Sequence, residues 1–180
     1  MGQAVGEISP ELAAWIRAQK LFFVATAPLS GDGHVNLSPK GLDSFRVLGP
    51  REVAYLDLTG SGAETMAHLR ENGRITVMFC AFDGPPRILR LFGRGEAHAL
   101  GSEAYRALQM HFTEWPGARA IVRIEVEQVR TSCGWGVPLF ALEGDRALLP
   151  EWSEKKGDAG LEAYRQEKNR VSLDGLPSWG

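Results

Sequence analysis

The sequence predicts a mainly β protein, a small antiparallel barrel of six or seven strands with accessory helices. Three observations predict it. Strand-like segments recur over residues 21–131, with few helical stretches between them and no regular strand-helix alternation of the kind that builds parallel sheets. One segment, Arg74 to Phe82, is a nearly continuous apolar run, as expected of a central strand buried on both faces. Another, from Arg87 to about Leu100, is interrupted by Gly93 and Gly95, which suggests a bulge or a barrel bend. At 180 residues and 44% hydrophobic, the chain suits one domain, 1–180. Its barrel core covers about 20–131 and a C-terminal extension about 132–180.

Each element has a local reason. Ser9-Pro10-Glu11 starts a helix: Ser9 can cap, Pro10 suits the first turn and Glu11 favours the positive end of the dipole. Leu12, Trp15, Ile16 and Gln19 share one face of that helix, which runs to about Lys20 and covers a sheet. Residues 21–38 read as a hairpin around Gly31-Asp32-Gly33. Phe45 to Leu48 and Glu52 to Leu58 are the next strands, joined by Gly49-Pro50. Ser61 and Glu64 have the spacing of a capping box for a helix from about Gly62 to Asn72, and Asn72-Gly73 stops it. Asp83-Gly84-Pro85-Pro86 is a turn, Ser102-Glu103 opens a helix to about Phe112, and Arg119 to about Thr131 is again a strand. Beyond it, Thr131 to Pro138 is glycine-rich around Trp135, Glu154 to Asn169 is a charged helix, and Val171 to Pro177 is an irregular tail apolar enough to dock.

Composition excludes several function classes. A net charge of −2 with interspersed signs lacks the basic excess of a nucleic-acid binder. No run approaches the roughly 18 apolar residues of a membrane span, and the early Glu7 and Glu11 are unlike a secretory leader, so the chain is expected in the cytoplasm. Cys80 and Cys133 read as two buried free thiols. The four histidines show no metal-ligand spacing, and no metal site is assigned.

The stretch most suggestive of a ligand is Gly33 to Gly41. Strand alternation places Val35 and Leu37 on one face, feeding a core, and His34, Asn36 and Ser38 on the other, presenting hydrogen-bonding groups. Pro39 ends the strand or makes it an edge, leaving Lys40 and Gly41 as a cation beside flexible backbone. The same residues also read as an ordinary half-exposed strand with a solvated lysine and a solvated His34.

An ordered set of motifs resembles the pyridoxamine 5'-phosphate oxidase-like, FMN-binding split-barrel family over roughly residues 18–130. The set comprises Val24-Ala25-Thr26 before the glycine turn, Ser38-Pro39-Lys40-Gly41, Tyr55 ending a strand before a loop and helix, His68-Leu69-Arg70-Glu71-Asn72, and Arg87 to Gly93. The resemblance implies a homodimer with two flavins in clefts at the subunit interface. It implies flavin and phosphate contacts from Asn36, Ser38, Lys40 and Gly41, and a phosphate cradle at Leu58 to Thr65 that includes Thr59, Ser61 and Thr65. Arg87 would neutralise charge at the cleft. Trp135 either packs over a ring in the partner's cleft or anchors the core or the dimer. Two departures stand out: an Arg-Lys pair of the oxidase falls here on Glu64-Thr65, and a glutamine near the flavin falls on Ile88. Glu64 either faces a phosphate, which it would repel, or caps its own helix. The expected function is an FMN-binding oxidoreductase with a small-molecule substrate and no assigned catalytic side chain. The alternative is a non-catalytic flavin, deazaflavin or haem carrier, or a cofactor-free dimeric scaffold of the same fold.

Overall fold

The computed structural model describes residues 2–179. Eight antiparallel strands and four helices follow one another as β1 (Gln3–Val5), α1 (Pro10–Ala18), β2 (Phe22–Thr26), β3 (Asn36–Lys40), β4 (Phe45–Gly49), β5 (Glu52–Leu58), α2 (Glu64–Asn72), β6 (Arg74–Cys80), β7 (Ile88–Ala99), α3 (Glu103–Gln109), β8 (Ala118–Ser132) and α4 (Leu148–Lys168). The strand count exceeds the expected six or seven because β1, three residues long, pairs with the C-terminal half of β8 and has no periodic signal of its own. Strand order is β3-β2-β6-β7-β8-β5-β4, an antiparallel split barrel whose end strands β3 and β4 do not pair. The middle place belongs to β7, not to the run at Arg74. That run forms β6, whose alternate residues are only half-buried.

The barrel interior is lined by inward residues such as Val24, Val77, Leu91, Val122 and Tyr55, all fully buried, each contributing roughly 1.5–3 kcal/mol. Across the split, rings replace backbone pairing: Phe22 meets Phe45 at 5.0 Å and Tyr55 at 5.7 Å between centroids. The opposite face of β5 and β8 presents Ala54, Leu56 and Ile121 to Tyr105 of α3. Helix α1 begins as expected, with the Ser9 hydroxyl accepting from the Leu12 N–H at 3.2 Å. Helix α2 ends at Gly73, in the left-handed conformation at φ 70°.

Gly93 marks the expected bulge. The β7–β8 register shifts between Phe92 and Gly93, and a Cβ at Gly93 would stand 2.0 Å from the Glu125 carbonyl oxygen. Helix α4 begins at Leu148 and kinks at Gly157 (φ 63°), earlier and less regular than the expected start at Glu154. After it, residues 170–178 fold back in a small hairpin, with Val171 bridging Pro177 and Ser178 N–H donating to Arg170 O at 2.9 Å. Cys80 is buried as expected; Cys133 is exposed, because it follows β8 in a loop that no element covers. No helix among the described residues is long and apolar enough to cross a membrane.

Candidate functional site

The inward face of β3 is the polar one. Register pairs Asn36 with Thr26, Ser38 with Val24 and Lys40 with Phe22, and these β2 partners are all buried. Cross-strand neighbours share a face, so Asn36, Ser38 and Lys40 turn toward the barrel, while Val35 and Leu37 are exposed at 73% and 62%. The expectation that Val35 and Leu37 feed a core is therefore reversed. The parity is set by β2, whose Phe22 and Val24 have the larger apolar burial at stake.

Inside, these groups form one connected row. Ser38 Oγ donates to Asn36 Oδ1 at 3.1 Å, Asn36 Nδ2 donates to Thr65 Oγ1 at 3.0 Å on α2, and Thr26 Oγ1 lies 2.9 Å from His68 Nδ1. His68 is fully buried and its Nε2 has no partner. Burial pushes the imidazole below its ordinary value, against the pull of Asp174, Glu64 and Glu71. Asn36 and Ser38 are half-exposed, so the row remains reachable from the edge of the sheet.

At the end of the row lies a buried charge cluster. Lys40 Nζ donates to Asp57 Oδ1 and Arg119 Nε to Asp57 Oδ2, both at 2.6 Å. Burial would raise the Asp57 carboxyl, but Lys40 and Arg119 outweigh it and hold it below the usual carboxylate range. Arg119 is the residue skipped where the β5–β8 register shifts, and that bulge turns its guanidinium onto Asp57. The guanidinium also donates to Asn169 Oδ1 at 2.8 Å and to Gly62 O at 3.0 Å. Asp57, Arg119 and Asn169 were not among the expected site residues. Asp57 had a readable signal: it shares strand parity with Val53 and Tyr55, and a carboxylate on a core face requires a buried cation.

The loop before α2 is engaged by the chain itself. Thr59 is fully buried, its hydroxyl donating to Gly117 O at 2.8 Å and accepting from Arg165 at 3.1 Å. Ser61 is exposed and does not cap α2; the N-cap is Ala63, with no side-chain bond. The Glu64 carboxylate lies beside the helix start without capping it, accepting from the N–H of Ala63 itself at 3.0 Å and from Leu173 N–H, in the tail hairpin, at 3.2 Å. Gly41 O accepts from Ser44 Oγ at 2.6 Å. Two expected residues lie elsewhere. Arg87 is exposed, its guanidinium 5.3 Å from the Trp15 ring centroid on α1, and Trp135 is 83% exposed in the loop after β8, which excludes a core role within this chain. No group of three or more metal-ligating side chains occurs among the described residues.

Residues 8–133 match the family model described as Pyridoxamine 5'-phosphate oxidase. The chain belongs to the pyridoxamine 5'-phosphate oxidase family. One relative is the pyridoxamine 5'-phosphate oxidase family protein ustO of Aspergillus flavus, 44% identical in a gapped alignment 187 residues long, which covers 94% of this chain and 75% of that protein. Among solved structures, HupZ of Group A Streptococcus aligns with a TM-score of 0.51 and 25% identity, covering 68% of this chain and 91% of its own. A Clostridium acetobutylicum protein related to general stress protein 26 aligns at 0.53 and 17%, covering 68% and 86%, and shows the same fold. The match to the pyridoxamine 5'-phosphate oxidase family model stops at Cys133, so α4 and the tail hairpin on the α2 end lie beyond the matched stretch.

Proposed function

We propose that this chain is a flavin-dependent oxidoreductase acting on a small molecule, with FMN the form of cofactor that its family resemblance implies. The observation that carries the reading is the row in which half-exposed Ser38 and Asn36, on an edge strand beside Lys40, lead inward to the buried hydroxyl of Thr65 on α2. Such groups suit the uncharged hydrogen-bonding edge of an isoalloxazine ring and the hydroxyls of a ribityl chain. The phosphate of FMN finds no equivalent fit at α2: Glu64 sets a carboxylate beside the start of that helix, and Lys40 and Arg119 are both bonded to Asp57. A bound flavin supplies the electron-carrying chemistry, and the chain's residues bind, orient and shield it.

The same reading includes a homodimer in the cytoplasm. Val35, Leu37 and Trp135 lie exposed, and a second copy would cover them and wall the row from its open side. The absorption spectrum and light scattering of one purified sample test the proposal. Flavin bands that bleach with a reduced nicotinamide, in a particle of twice the chain mass, are expected. Flavin bands that no reductant bleaches would make the chain a carrier, and a monomer that neither retains nor rebinds flavin would sink the proposal.

A further inference from the structure

The N-terminal end of α2 holds an anion that belongs to the chain. Helix dipole and first-turn N–H groups favour negative charge there, and the Glu64 carboxylate supplies it, with Oε2 on the Ala63 N–H. A Cβ on Gly62 would stand 3.3 Å from that same Oε2, so the carboxylate is folded back over the loop. Its other oxygen is held by Leu173 N–H from the tail hairpin. That hairpin and the α4 C-cap residue before it are firmly docked: Ser178 Oγ donates to Ala63 O at 3.0 Å, Asn169 Nδ2 to Gly60 O at 2.9 Å, and Asp174 grips His34 through its backbone N–H at 2.8 Å and its Nδ1 at 2.6 Å. Ser178 and Asn169 are buried. The hairpin therefore spans from the α2 loop to the entrance of β3 and pins Glu64 in place.

A phosphate arriving at this helix end would meet a seated carboxylate. The side-chain donors nearest the loop, on Arg119, Asn169 and Ser178, are already turned onto the carbonyls of Gly62, Gly60 and Ala63 rather than toward an incoming anion. We infer that Glu64, clamped by the tail hairpin, is a specificity-determining residue that keeps terminal phosphate out of the α2 end, so that the polar row selects a flavin by its ring and ribityl chain. The inference rests on the flavin reading above and narrows it to a cofactor whose phosphate contributes little or is absent.

The test uses the full-length protein and Glu64→Gln, which keeps shape and removes charge. Each is titrated with riboflavin and with FMN by flavin fluorescence, and each is melted with and without inorganic phosphate. The wild type is expected to bind riboflavin at least as tightly as FMN. Glu64→Gln should tighten FMN about tenfold and leave riboflavin within about twofold, the scale of relieving one like-charge contact. Phosphate should raise the melting temperature of the variant more than that of the wild type. A wild type that prefers FMN by an order of magnitude, or an FMN-to-riboflavin ratio unchanged by the variant, overturns the inference. If neither protein binds flavin while phosphate stabilises only the variant, the role of Glu64 stands and the flavin reading falls; if phosphate also fails, both fall. Should Glu64→Gln not fold, Asp174→Asn at the exposed hairpin tip loosens the clamp and must shift the ratio in the same direction.

Discussion

Lys40 and Asp57 are bonded at 2.6 Å although four strands separate β3 from β5 along the sheet. The pair crosses the split where no backbone ladder runs. With Arg119 on the other carboxylate oxygen, Asp57 ties both halves of the barrel to one buried charge.

Asp57→Asn is accordingly expected to destabilise the fold by about 3–5 kcal/mol, since it leaves the buried Arg119 without its counter-ion. Lys40→Met should cost less, about 1.5–3 kcal/mol, because Arg119 still holds Asp57. Urea unfolding of both variants checks the order; a milder Asp57→Asn would mean that the cluster is not what holds the seam.

Acid should loosen the protein in two windows. His68 is neutral in the fold with its pKa lowered by burial, so its contribution is complete above the ordinary value of about 6.5 and is lost as pH falls toward and through the folded value. Asp57, lowered by Lys40 and Arg119 in spite of its burial, keeps its contribution above about 3.9 and loses it only below that. Melting temperatures across pH should show both falls. His68→Gln should flatten the upper one alone, and an unchanged upper slope would count against His68.

Gly93→Ala drives a methyl group into the Glu125 carbonyl and should cost about 3 kcal/mol. Gly31→Ala, where a Cβ meets nothing within 4 Å, should stay within about 0.5 kcal/mol. Equal unfolding midpoints for the two would refute the bulge as a close backbone approach.

Local chemistry was legible in the sequence wherever a few neighbouring residues decide the outcome. The Ser9 cap, the Gly73 stop and the Gly93 bulge are all of this kind. Distant partners overruled local signals elsewhere. The inward parity of β3 is imposed by β2, and the Ser61–Glu64 box loses to a Glu64 contact with Leu173, 109 residues away. The polar row was half legible: Asn36 and Ser38 were on the expected strand, but Thr26 and His68 join it only once α2 packs against β2. Arg87 lies against Trp15 and apart from the row, and a strand-entry arginine reads alike whether it meets a cleft or an aromatic ring.

Asn169 follows Arg119 by 50 residues, yet completes its surroundings and those of the Gly60 carbonyl. During synthesis the whole sheet leaves the ribosome before Asn169 does. For that interval the nascent barrel carries an arginine short of one acceptor and loop carbonyls short of their donor, and water must fill in. A message truncated after Lys168 freezes the molecule at that stage, with every strand present and the α2 loop unsealed. Limited proteolysis of that product is expected to cut first at the unsealed α2 loop, which would make the tail the finishing step of the barrel it follows.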